Sequence, residues 1–207
     1  MASNNLAFIN FEKNIKSVDE LINLYKIIGQ QLPLLEEQSS EILRAIIVLS
    51  VSHLDNFLHD YYRTEIVEAY LGIGDFNVKF EKIKISIKGM AEIDSSASIQ
   101  EKRNYLTNEL RKIQKTDSYQ SGKSIENLFI TLNIKNVWTQ LEKTGVQGLK
   151  ANDIKIELAN IIDRRNKISH ESDWDFINQK KYPIYLNDIL YVVDFIKNLV
   201  KGINQIK

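Results

Sequence analysis

An all-α fold is what these 207 residues predict, and three observations predict it. Two prolines and eight glycines are too few to punctuate a many-stranded sandwich or barrel. One stretch, from Glu41 to about Leu71, contains neither residue. Apolar residues recur at steps of three and four through most of the chain, the period of helices with one buried face. An apolar fraction of 43% and a charged fraction of 26% are ordinary for a globular protein, and the length suits one domain over residues 1–207. With no cysteine, disulfides, thiolate metal sites and a cysteine nucleophile are excluded.

In chain order, Ser17 to Glu20 has the capping-box pattern and opens a helix carrying Val18, Leu21, Ile22, Tyr25 and Ile28, ending near Gly29 and Pro33. Ser39 or Ser40 is the expected N-cap of the long central helix. Its first half, Ile42 to Val51, is apolar nearly all round, as in a helix surrounded by protein. From Asp75 to Gly89, Ile83, Ile85 and Ile87 alternate with polar residues as in a strand, while Phe80, Ile83 and Ile87 fit a helix face equally well. Ala91 to Ser98 is small and polar, the composition of a loop. Tyr105, Leu106, Leu110 and Ile113 predict a helix over about 100–114, followed by a polar stretch to Lys123. Ile125 to Leu132 predicts a short helix, and Val137, Trp138 and Leu141 predict another that stops near Gly145. Asn152 or Asp153 should start a helix through about Ser169, and Pro183 interrupts the chain. Asn187 should then cap a last helix to about Ile206, whose Ile189, Val192, Val193, Ile196, Leu199, Val200 and Ile203 form a stripe suited to a bundle.

Basic and acidic side chains cancel at 27 each, but unevenly. Residues 1–78 carry a net charge of −6, residues 79–150 +5 and residues 151–207 +1. A neutral total therefore leaves room for a local positive field of the kind phosphates need, a field that would serve a site facing residues 79–150. The first residues lack a basic segment followed by an apolar one, and no unbroken apolar run approaches the roughly 18 residues of a membrane span. Cytoplasmic residence without membrane attachment is the expectation.

The helix from Asp153 has its apolar stripe at Ile154, Leu158 and Ile161, and the next positions on it are Arg165 and Ile168. An arginine where the pattern asks for an apolar residue needs a carboxylate, a phosphate or a route to water. Asn166 shares a face with His170, so the end of this helix offers a fixed cation, an amide and an imidazole. Such a trio suits RNA cleavage by its own 2′-hydroxyl, which needs a base, an acid and a cation against the phosphate. Histidine can be base or acid near neutrality, and the arginine fork pairs with phosphate oxygens. The plain structural alternative has Arg165 capping the helix end or paired with Asp163 or Glu171, and His170 as a C-terminal histidine favoured by the helix dipole.

Arg165-Asn166-Lys167-Ile168-Ser169-His170, with four residues between arginine and histidine, resembles the signature of the HEPN superfamily of helical ribonucleases. The surrounding Ile161 to Asp173, the long early helix with Ser52-His53-Leu54-Asp55-Asn56-Phe57-Leu58, the segment from Ile125 to Trp138 and the apolar last helix look like its RiboL-PSP-HEPN branch. The resemblance implies an all-α, HEPN-like helical bundle with a long central helix and an irregular or short-strand insertion near residues 75–100. It also implies a metal-independent endoribonuclease without cofactor, active as a homodimer that places two motifs in one cleft. Such a protein would act as a toxin or anti-phage effector beside an antitoxin or defence partner. Arg165, His170 and Asn166 would then be catalytic, with Arg164 and Lys167 binding the RNA. A non-catalytic HEPN domain binding RNA, a nucleotide or a protein, or a helical scaffold serving only assembly, would also fit these residues. Some HEPN toxins carry a tyrosine two residues after the motif histidine that a partner enzyme modifies; here that place is Ser172, which argues against such control.

Elsewhere, Ser52, Asp55, Asn56, His59 and Arg63 share one face of the central helix, either lining the motif cleft or forming its solvated side, the second being preferred. His53 lies on the apolar face as a hydrogen-bonded core histidine. No metal-ligand spacing stands out: His53 and His59 point to different sides, and Glu171, Asp173 and Asp175 form an acidic run of the solvated kind. Gly122-Lys123-Ser124 lacks the first glycine of a phosphate loop, since position 117 is Asp.

Overall fold

A computed structural model describes residues 6–32, 35–73 and 77–206. The expected helix stop at Pro33 and the Asp75 start of the ambiguous segment lie outside the described residues. Among the described residues the fold is all-α apart from one hairpin with two-residue strands, in the order α1 (Leu6–Asn14), α2 (Lys16–Gln31), α3 (Glu36–Tyr70), α4 (Ile87–Asp94), α5 (Ile99–Ile113), α6 (Gly122–Thr131), α7 (Val137–Lys143), α8 (Ala151–Glu171), β1 (Trp174–Asp175), β2 (Lys180–Lys181) and α9 (Leu186–Gln205).

Helix α3 is the axis. Its 35 residues span about 50 Å at 1.5 Å per residue. It buries Leu43, Ile46, Ile47, Val51, Leu54, Phe57, Leu58 and Tyr61 against α1, α2, α5, α8 and α9. By length and composition α3 could cross a membrane, but half of its most apolar window is buried inside the bundle, which accounts for the hydropathy. α3 starts before the expected Glu41, so Ser39 and Ser40 lie inside the helix; the Ser40 hydroxyl accepts from Arg44 Nη1 at 2.8 Å instead of capping.

Helix α1, unforeseen, changes the start of α2. It runs into α2 with Ile15 still in right-handed helical conformation, so Ser17 has no free helix end to cap. The Ser17 hydroxyl donates to the Asn14 carbonyl at 2.8 Å and lies 3.3 Å from His53 Nε2. Ala7, Phe11, Ile15, Val18 and Ile22 make one continuous buried stripe across both helices.

Residues 77–100 are irregular and then helical. Among the described residues no strand forms there: Ile83 and Ile85 pack on the core while Ile87 is fully exposed. Ser86 caps α4 by accepting from Gly89 N at 2.9 Å. The expected loop at Ala91 to Ser98 holds the second half of α4, because Ile93 is buried in the core. Ser98 caps α5, and Ser121 forms a reciprocal capping box with Ser124, so Gly122-Lys123-Ser124 is the first turn of α6. At α8 the Glu142 carboxylate accepts from Ala151 N at 3.0 Å, taking the capping role expected of Asn152 or Asp153. α9 begins at Leu186, just before its expected cap Asn187.

Candidate functional site

Helices α3 and α8 pack side by side and antiparallel. Arg44, early in α3, reaches the turn after α8 through Asp173. At the other end Asp55 binds Tyr119 N, just before α6, whose Glu126 pairs with Lys155 of α8 at 2.7 Å. The last turns of α8 therefore stand beside the start of α3, and they carry every residue of the motif.

Around α8, at about 100° per residue, Arg165 points along the core stripe of Ile154, Leu158 and Ile161, while Asn166 and His170 lie together on one flank. Arg165 bends toward that flank, donating from Nη1 to Asn166 Oδ1 at 2.9 Å. Its Nε is buried without an acceptor, and among the described residues the guanidinium has no carboxylate partner. Asp163, one of its expected partners, pairs with Lys167 at 3.1 Å, which raises the Lys167 pKa. His170 stands exposed in the last turn of α8. Arg165, Asn166 and His170 thus form a half-buried cation, an amide and an open imidazole on contiguous surface.

Arg164 lies on the opposite flank, away from Asn166. Its Nη2 donates to Asp173 Oδ2 at 2.8 Å and to the Pro183 carbonyl at 3.1 Å, and its Nη1 stands 2.8 Å from Asp173 Oδ1. The Asp173 carboxylate also accepts from Arg44 Nε at 2.8 Å, while Arg44 Nη2 donates to the Tyr182 carbonyl at 2.7 Å. Asp173 is 0% exposed and Arg44 5%, so the expectation of a solvated acidic run fails at this position. Asp175 is also engaged: it caps the hairpin tip by accepting from Ile177 N and Asn178 N. Arg44 is the residue that sequence patterning missed, although an arginine inside the most apolar part of α3 demands a buried partner.

The polar face of α3 is neither solvated throughout nor part of the motif region. Asp55 Oδ1 accepts from Tyr119 N at 2.7 Å, His59 packs on the Tyr119 ring at 4.6 Å, and Arg63 donates to Gln114 Oε1 at 2.7 Å. Residues 114–119 cover that face, leaving Ser52 and Asn56 exposed. Asp55 is also about 16 Å along α3 from Arg44, which separates it from the motif. His53 is half-buried against Ser17, and burial lowers its pKa. Among the described residues no three histidine, aspartate or glutamate side chains converge as a metal site.

A helical bundle with a long axial helix, and a penultimate helix ending in arginine, asparagine and histidine, defines the class of protein to which this chain is to be compared. The family model RiboL-PSP-HEPN matches residues 12–206, and the chain belongs to that family, whose domains are commonly ribonucleases or nucleotide binders. Comparison with curated proteins and with solved structures returns no match.

Proposed function

We propose that this protein is a metal-independent endoribonuclease that cuts RNA by 2′-hydroxyl attack, with Arg165 and His170 catalytic and Asn166 holding Arg165 in place. The observation that carries the reading is the guanidinium of Arg165: half-buried, without a carboxylate, with a buried Nε that lacks an acceptor. A buried donor left unmet is costly in the free protein, and a phosphate oxygen would satisfy it. His170, exposed beside it, supplies the proton transfers.

In the reaction the 2′-oxygen attacks phosphorus as an imidazole takes its proton. The bond from phosphorus to the 5′-oxygen breaks, and a protonated imidazole delivers a proton to that oxygen. The products are a 2′,3′-cyclic phosphate and a 5′-hydroxyl. One imidazole cannot be base and acid in the same step, so two protomers related by a two-fold axis supply the pair. Lys167, on the outer side of the same turn, binds the flanking phosphate chain. Arg164, engaged by Asp173, supports the site from behind. The biological setting is a toxin or anti-phage effector of the cytoplasm, restrained by a partner protein.

The test is RNA cleavage by purified protein in EDTA. Cyclic phosphate ends are expected, and His170→Ala and Arg165→Ala should each lower the rate by about a hundredfold or more while the dimer persists. RNA binding without cleavage would establish a binding domain in place of a nuclease. Unchanged cleavage in either variant would remove that residue from the mechanism.

A further inference from the structure

The chain leaves α8 through an unusual turn. Ser172 and Asp173 both have left-handed backbone, with φ of 53° and 58°, and neither is glycine. The Asp173 amide reaches back to the Lys167 carbonyl at 3.0 Å, and Tyr182 N donates to the Asp173 carbonyl at 2.9 Å. Left-handed backbone is strained for residues with a side chain, so something must hold two of them in succession. The holder is the Asp173 carboxylate, fully buried and gripped by two guanidiniums from different helices, Arg44 of α3 and Arg164 of α8. Arg44 also binds the carbonyl of Tyr182 and Arg164 that of Pro183, so the same two side chains tie down the return strand of the hairpin.

We propose that Asp173 is a positioning residue for the candidate site: by clamping Arg164 to Arg44 across α8 and α3, it sets the direction in which the last turn of α8 presents His170 relative to Arg165. The geometry explains why adjacent arginines divide their work. Arg164 and Asn166 point to opposite flanks of α8, so fixing Arg164 fixes the rotation of the helix end. That rotation decides where His170 stands relative to the Arg165 guanidinium. A removed clamp would let the strained turn relax and the imidazole swing while Arg165 stays packed along the core stripe. The consequence for turnover rests on the ribonuclease reading; the clamp itself does not.

The experiment compares wild type with Asp173→Asn, and with Asp173→Asn combined with Ser172→Gly, since glycine adopts the left-handed turn without strain. Two measurements are made on each: the NMR signals of the His170 ring with amide exchange over residues 167–182, and kcat and KM for RNA cleavage in EDTA. In Asp173→Asn the ring signals should shift and the amides should exchange faster, while far-UV helix content is kept. kcat should fall by about a hundredfold, the scale of a 1 Å misplacement, with KM nearly unchanged. Adding Ser172→Gly should recover part of kcat. Equal loss in kcat and KM without rescue, or unaltered ring signals and exchange, would overturn the positioning role. If wild type does not cleave, the ribonuclease reading fails alone, and the clamp stands or falls on the ring signals and exchange. Should Asp173→Asn not fold, Arg44→Gln removes one arm of the clamp while Arg164 keeps the carboxylate, and carries the same readouts with the same outcomes.

Discussion

Arg164 and Arg165 are neighbours in sequence but stand about 100° apart around α8, and that rotation decides their chemistry. Arg164 meets a buried carboxylate; Arg165, among the described residues, meets the amide of Asn166. The demand that a buried arginine find a partner was legible in the sequence for Arg165, and it applies with more force to Arg44, which is almost wholly enclosed. What could not be read was the partner, because Asp173 lies 129 residues away from Arg44 in the chain. At the same scale His53 makes a pH prediction. Burial lowers its pKa from the ordinary 6.5, so the unfolded chain binds the proton more readily and the stability His53 contributes is present above pH 6.5 and lost as pH falls below it. Thermal unfolding between pH 5 and 8 should show a slope that His53→Gln reduces, and identical slopes would show that His53 carries no such linkage.

At the scale of elements, glycines on two helices make opposite predictions. A Cβ on Gly202 of α9 would lie 2.6 Å from Thr144 Oγ1 and 3.0 Å from Val146 Cγ2, in the packing of α9 against α7 and the turn after it. Gly202→Ala should cost about 1–3 kcal/mol in urea unfolding through overpacking. A Cβ on Gly29 of α2 would meet nothing within 4 Å, so Gly29→Ala should stabilise by roughly 0.4–1 kcal/mol. Equal effects would contradict this account of α9. Elements with strong periodicity were legible: α5, α6, α7 and α9 begin and end close to where apolar spacing put them. The alternation of Ile83, Ile85 and Ile87 left a strand open, and the structure resolves it otherwise, since a strand needs a partner and no strand pairs with that segment among the described residues. α1 escaped because its apolar residues complete a stripe begun by α2, and the short stretch shows its period only against that neighbour.

For the whole molecule, the antiparallel pairing of α3 and α8 sets part of the basic middle apart from the motif. Residues 114–150, which belong to the basic middle, pack beside Asp55 to Arg63 and the first half of α8, away from Arg165 and His170. On the ribonuclease reading, Arg165 and Lys167 supply positive charge at the motif itself within one protomer. RNA affinity of a His170→Ala dimer should fall as salt rises. Lys167→Ala should lessen that dependence, whereas an unchanged salt slope would take Lys167 out of the interface.

The amino-acid sequence by itself determined the helical class, the apolar axis of α3 and the motif residues at the end of α8 on which the proposed function rests. These are local properties: periodicity, spacing and side-chain type act over one or a few turns. Only the tertiary structure decided which arginine pairs with an amide and which with a buried carboxylate, which face of α3 is covered, and how the chain turns after His170. Those outcomes depend on contacts between residues remote in sequence, where the burial of one group sets the electrostatic needs of another.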